Sequence, residues 1–213
     1  MRRAVLLCCL FLLARLCGAQ SANAPTPASE ADAQQQMTAD QKKAAQDWFP
    51  VEQKCMDAIN AKSVQDALDS CKQTLDLSMK AGDLTMSTQL ARTGSHQLYG
   101  HALLLAGKKQ AALAQEYMAV DEVHKCLTDK DQEYAMPYFW RGVVEANLGQ
   151  NDAALADYAT AEATHRKAIA DLPPMKEKYS QTLAAILKEH AALLEKMGRA
   201  DEAAKVRAEA AAL

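Results

Sequence analysis

Residues 141–162 read RGVVEANLGQNDAALADYATAE. The stretch is rich in alanine, the strongest helix former, yet it places glycines at 142 and 149. A glycine inside a helix costs about 1 kcal/mol relative to alanine, so Gly142 needs a reason. Aligning the chain with itself supplies one. Gly100, Gly107, Ala112 and Ala119 recur as Gly142, Gly149, Ala154 and Ala161, 42 residues on. Ala191, Gly198, Ala203 and Ala210 repeat the pattern after a further 49. The steps within each copy are 7, 5 and 7 residues, and five of the chain's eight glycines fall on these positions. A repeat of this length marks stacked supersecondary units.

Each copy predicts a helix, a turn and a second helix. In the middle copy the first helix runs from about Met136 to Leu148. Gly149 caps it, and Asn151 or Asp152 opens a helix that continues to about Asp171. Gly107-Lys108 and Met197-Gly198-Arg199 break the other two copies. Two antiparallel helices on a tight turn must approach closely. Gly142 and Ala154 lie on either side of the turn at similar height, where a larger side chain would hold the backbones apart. Gly100 and Ala191 take the same role.

This spacing resembles the tetratricopeptide repeat family over roughly residues 92–213. Gly142, Gly149, Ala154, Tyr158 and Ala161 carry the resemblance: a small residue, a turn glycine, an alanine, an aromatic and an alanine. The periods of 42 and 49 exceed the family's usual 34. Glu116 and Arg207 stand where Tyr158 would recur, and only Pro173-Pro174 echoes a closing proline.

A fourth, worn unit precedes these. Trp48, Val51, Cys55 and Ile59 follow one helical stripe, and Val64, Ala67, Leu68, Cys71, Leu75 and Met79 another. Lys62-Ser63 joins them, and Gly82 ends the pair. Cys55 and Cys71 face inward, level across the turn, either as a disulfide or as two buried thiols. Helices over 83–106, 109–127 and 174–197, with a polar C-terminal helix, complete the expectation. The fold class is all-α, an α-solenoid of about four antiparallel helix hairpins.

Composition agrees. The chain has 213 residues, 49% hydrophobic and only 5% aromatic, with few glycines and prolines to build a sandwich or barrel. Residues 1–19 carry Arg2 and Arg3, an apolar run from Ala4 to Leu13, and small residues at Gly18 and Ala19. They read as a secretory signal peptide, and the run is too short for a stable membrane span. Arg15 and Leu16 are bulky where lipidation of Cys17 would want small residues. Residues 20–43 read as a disordered Ala/Ser/Pro/Gln-rich leader, and 44–213 as the repeat domain. Removing residues 1–19 leaves 21 basic residues against 27 acidic. Such a chain has no electrostatic reason to bind nucleic acid.

No catalytic constellation is legible, and no cofactor is expected. His96 and His101 are five residues apart, and His124 and Cys126 two apart, the wrong spacings for helical metal ligands. The acidic residues read as solvated helix faces. The family resemblance implies that first helices line a concave groove. It places Gln97, His101 and Leu105 there, then Phe139, Val143 and Asn147, then Lys188, Ala192 and Lys196. Family members that clamp a peptide carboxylate need Lys followed four residues later by Asn. Gln97 with His101, and Phe139 with Val143, depart from that, leaving an apolar or aromatic anchor. Alternatively Phe139 and Trp140 pack against neighbouring helices.

The expected role is an exported, periplasmic or secreted, non-catalytic module that binds a protein or peptide segment. The other reading is a structural adaptor whose repeats pack on a second copy. An open concavity around Phe139 would favour the first; an exposed apolar stripe on the C-terminal helices would favour the second.

Overall fold

The structure, a computed structural model, describes residues 27–127 and 132–213, so the stretch read as a signal peptide and the first part of the expected leader lie outside the described residues. Every regular element among the described residues is helical. The first are α1 (Pro27–Gln36), α2 (Ala39–Asn60), α3 (Val64–Ala81), α4 (Met86–Leu105) and α5 (Lys109–Cys126). After a 3-10 turn at Gln132–Tyr134 come α6 (Ala135–Leu148) and α7 (Asn151–Asp171). A second 3-10 turn, Pro173–Met175, leads into α8 (Lys176–Lys196) and α9 (Ala200–Ala211).

The chain divides between Leu127 and Thr128 into two compact units, where the sequence suggests one domain. In the first unit α2 pairs with α3 and α4 with α5, and α3 packs on α4. In the second, α6 pairs with α7 and α8 with α9, and α7 packs on α8. This is the packing of an all-α helical-hairpin solenoid, with four hairpins in the described chain.

The turns explain the glycines at 107, 149 and 198. Each has a positive φ, between 74° and 79°. In the middle copy Gly149 N–H donates to Ala146 O, and Gln150 N–H to Glu145 O. Those two bonds satisfy carbonyls that a helix end leaves open, and they require a left-handed residue. Leu103, Leu104, Gly107 and Lys108 repeat the geometry, as do Leu194, Glu195, Gly198 and Arg199. The residue that opens the following helix is then Lys108, Gln150 or Arg199, with no side-chain cap. Asn151 and Asp152 thus lie inside α7 and do not cap it, because the turn is one residue shorter than the sequence suggests.

The first hairpin makes the same turn without glycine. Lys62 N–H donates to Ile59 O and Ser63 N–H to Ala58 O, with Lys62 at φ 55°. A side chain at that φ is strained, and glycine is not. The Lys62→Gly variant should therefore gain about 0.5–1 kcal/mol after the unfolded chain's extra freedom is counted. Thermal unfolding would read this as a midpoint about 2 °C higher.

The small residues inside the helices mark where each hairpin closes. Gly142 is buried, and a Cβ there would sit 3.0 Å from Tyr158 Cε1 and 3.2 Å from the Ala154 carbonyl oxygen. Gly100 is buried against Glu116 and Ala112 in the same way. Ala191 packs on Ala203, both with no exposed surface. Ala210 is only half-buried, because among the described residues α9 packs mainly on α8.

The first hairpin replaces the small residue by a covalent bond. Cys55 and Cys71 form a disulfide with Cα atoms 4.8 Å apart. Their separation of 16 residues equals that of Gly142 from Tyr158 and Gly100 from Glu116. Read this way, Cys55, Lys62, Ala67 and Thr74 repeat the 7, 5, 7 spacing. The Cys55→Ala, Cys71→Ala double variant should lose about 3 kcal/mol, the value expected for a loop of this size. A lower denaturant midpoint would report it.

Two expectations fail. Part of the stretch read as disordered leader, from Pro27 to residue 43, is helical. The cause is local: Thr38 Oγ1 accepts from Gln41 N–H while Gln41 Oε1 accepts from Thr38 N–H. This reciprocal cap starts α2, and Met37 and Ala44 are buried beside it. Nor are the acids all solvated: Glu52, Glu116, Glu122, Glu145, Asp157 and Glu162 are buried. Some lie opposite bases. Arg92 Nη2 is 2.6 Å from Glu122 Oε2, tying α4 to α5. Cys126 is a buried thiol that reaches the Glu122 and Val123 carbonyls.

Candidate functional site

Within the second unit, α6 and α8 open their hairpins and α7 packs against both. A cleft of about 170 Å³ runs between α6 and α8. Val143, Ala146 and Asn147 form its α6 wall. Glu189, Ala192, Leu193 and Lys196 form its α8 wall. Each wall is one helical stripe, since residues three and four apart share a face. Tyr158 of α7 completes the lining.

Gly142 brings Tyr158 to that position. The missing Cβ lets the phenol ring lie against the α6 backbone. The ring also meets Phe139 at 6.1 Å and His190 at 6.0 Å between centroids. Tyr158 is only 1% exposed. Burial pushes its phenol above the ordinary range, and the carboxylates of Glu189, Glu145 and Asp157 add to the effect. The hydroxyl therefore stays neutral and able to donate.

An ion pair holds the α6 wall to α7, and a hydrogen bond holds the α8 wall. Arg141 Nε and Nη2 donate to the two Asp157 oxygens at 2.6 and 2.7 Å, a bidentate geometry with the strength of charge-assisted bonds. His190 Nδ1 lies 2.6 Å from Glu162 Oε1, and Arg166 joins Glu162 to Glu209 on α9. The walls are thus held before any partner arrives, which lowers the ordering cost of binding.

At the rim, Lys196 Nζ donates to the Ala146 carbonyl at 3.2 Å, and Asn147 Nδ2 to Val143 O at 2.8 Å. Glu189 is exposed and carries no ion pair among the described residues. The lining offers an ammonium, a carboxylate, an amide and a phenol around an apolar middle, with no thiol, imidazole or aliphatic hydroxyl. That set suits recognition of a side chain. Among the described residues no group of three His, Cys, Asp or Glu is disposed to hold a metal ion.

The residues placed in a groove by family resemblance separate into three groups. Val143, Asn147, Ala192 and Lys196 come together in the cleft. Phe139 does not: it is 2% exposed, in a core cluster with Ala135, Ala154 and Ile186. Trp140 packs against the same cluster and its ring lies 4.7 Å from that of Phe139. Phe139 is therefore a core residue and not an open anchor. Lys188 is exposed on α8 but outside the lining. In the first unit Gln97 is buried, and Leu105 packs against the core around the disulfide. His101 is half-buried there, and desolvation pulls its imidazole down to about 4. Ala146, Tyr158, Glu189 and Leu193 also line the cleft, outside the expected set. The signal was present, because Glu189 and Leu193 share the α8 stripe of Ala192 and Lys196.

Among the described residues no helix is long and apolar enough to cross a membrane. No protein-family model matches this chain, and no curated protein does.

Proposed function

We propose that this chain is an exported, non-catalytic helical-repeat module, tetratricopeptide-like in spacing, that binds a segment of another protein. One observation carries the reading: the α6–α8 cleft, with pinned walls, a phenol between them and an uncommitted carboxylate at its rim. The basic, apolar and small-residue order of residues 1–19 supports export. The Cys55–Cys71 disulfide suits an oxidising compartment.

The self-associating alternative draws less support. Among the described residues α9 exposes alanines and charges, and its Arg207 and Glu209 pair with Glu195 and Arg166. It presents no run of large apolar side chains.

A photo-crosslinking residue at Ala192, inside the cleft, tests the proposal in the native envelope. A matched probe at the exposed Ala204 of α9 serves as control. The expected result is one discrete adduct from position 192 that position 204 does not give. An adduct of twice the chain's mass would favour the adaptor. Equal labelling from both positions would end the binding-module reading.

A further inference from the structure

We infer that the α6–α8 cleft recognises an extended polypeptide segment in which one leucine-sized side chain sits midway between a basic and an acidic residue four positions apart. This rests on the binding-module reading above.

Size argues for a side chain. Small-molecule sites usually occupy about 300–1,000 Å³, and this cleft offers about 170 Å³. A cavity of about 150 Å³ takes one benzene ring, so the cleft takes one apolar side chain. Val143, Ala146, Ala192 and Leu193 supply the apolar contact. Tyr158, almost wholly buried, closes the lining between the two walls.

Charge fixes the flanks. Glu189 and Lys196 are seven residues apart on one α8 stripe, which a rise of about 1.5 Å per residue makes roughly 10 Å. Alternate residues of an extended chain share a face and each residue rises about 3.3 Å, so residues i, i+2 and i+4 point together into the cleft and span about 13 Å, which flexible flanking side chains match to the roughly 10 Å along α8. A basic side chain then meets the exposed Glu189 carboxylate, which has no ion pair among the described residues. An acidic one meets the Lys196 ammonium, which donates to the Ala146 carbonyl at 3.2 Å.

The test is fluorescence anisotropy on the full purified chain. The probe is a labelled octapeptide with Lys and Glu four positions apart and Leu midway between them. Saturable micromolar binding is expected. Ala192→Trp, at an exposed helical position, fills the cleft and should weaken binding at least tenfold. Lys196→Glu should weaken it similarly, with folding of both variants checked by circular dichroism. Glu189→Lys should lose the Lys/Glu peptide and gain one carrying Glu at both flanks. No saturable binding at millimolar peptide would overturn the inference, as would equal binding by Ala192→Trp. If position 192 crosslinks a partner while the peptide fails, the flank chemistry is wrong and the binding-module reading stands.

Discussion

Stability of the chain should fall by about 3 kcal/mol between pH 6.5 and pH 9, and the Glu52→Gln variant should hold level over that range. Glu52 lies on α2 with no exposed surface, and neither carboxylate oxygen has a hydrogen-bond partner among the described residues. Desolvation pushes its carboxyl from 4.5 up to about 9. The folded chain therefore keeps a proton that the unfolded chain has released. Stability from a raised carboxyl is complete below pH 4.5 and drains away as pH rises towards 9. The slope is about 1.4 kcal/mol per pH unit. Buried histidines pull the other way. Desolvation lowers His101 and His165 to about 4 and also lowers His96. Their contribution is present above pH 6.5 and lost as pH falls towards 4. The native profile should therefore peak near pH 6.5. Glutamine cannot ionise, so the variant should rise to pH 6.5 and then stay flat. Urea midpoints at pH 5.5, 6.5, 7.5 and 9 compare the two. Parallel profiles above pH 6.5 would mean that Glu52 is not the group responsible.

That buried carboxyl also shows where sequence reading stops. Helical periodicity located the stripes of the first hairpin, and the glycine spacing located the turns of the other three and the sites of closest approach. These are local properties, set by 3.6 residues per turn and by the positive φ at Gly107, Gly149 and Gly198. The first hairpin was legible only as a worn unit, because two cysteines stand at the close-approach pair and Lys62 takes the glycine's place at the turn. Thr38 and Gln41 announced a helix start through their three-residue spacing, but alanines and glutamines around them masked it. The cleft was half legible for a different reason. Period alone says that Phe139 and Val143 share a face of α6. Which turn of that face meets the core, and which meets α8, depends on how the second hairpin packs. The buried acids follow the same rule. Asp157 is hidden because Arg141 lies opposite it across the hairpin, and no pattern along either helix reports that.

Gly142→Leu should cost about 3 kcal/mol, the upper end of the range for overpacking a closed core. Even a Cβ would stand 3.0 and 3.1 Å from two Tyr158 ring carbons and 3.2 Å from the Ala154 carbonyl oxygen. A rigid ring and a backbone atom cannot both withdraw, so a longer side chain must lift α6 from α7. Gly142→Ala should be much milder, because the clash is a few tenths of an ångström and alanine regains about 1 kcal/mol of helix propensity. Gly100 offers the contrast. Its Cβ would meet the Glu116 carboxylate, the end of a flexible side chain, and the nearest backbone atom is 3.5 Å away. Gly100→Ala should therefore cost less than Gly142→Ala, by denaturant midpoint. A double-mutant cycle isolates the cause. If the ring is the obstacle, Gly142→Ala combined with Tyr158→Leu should be more stable than the sum of the two single effects. Additive effects would place the obstacle at the Ala154 carbonyl instead. The same lift moves Tyr158 away from the α6 wall, so Gly142→Leu should also abolish binding of the Lys/Glu octapeptide at temperatures where the variant remains folded.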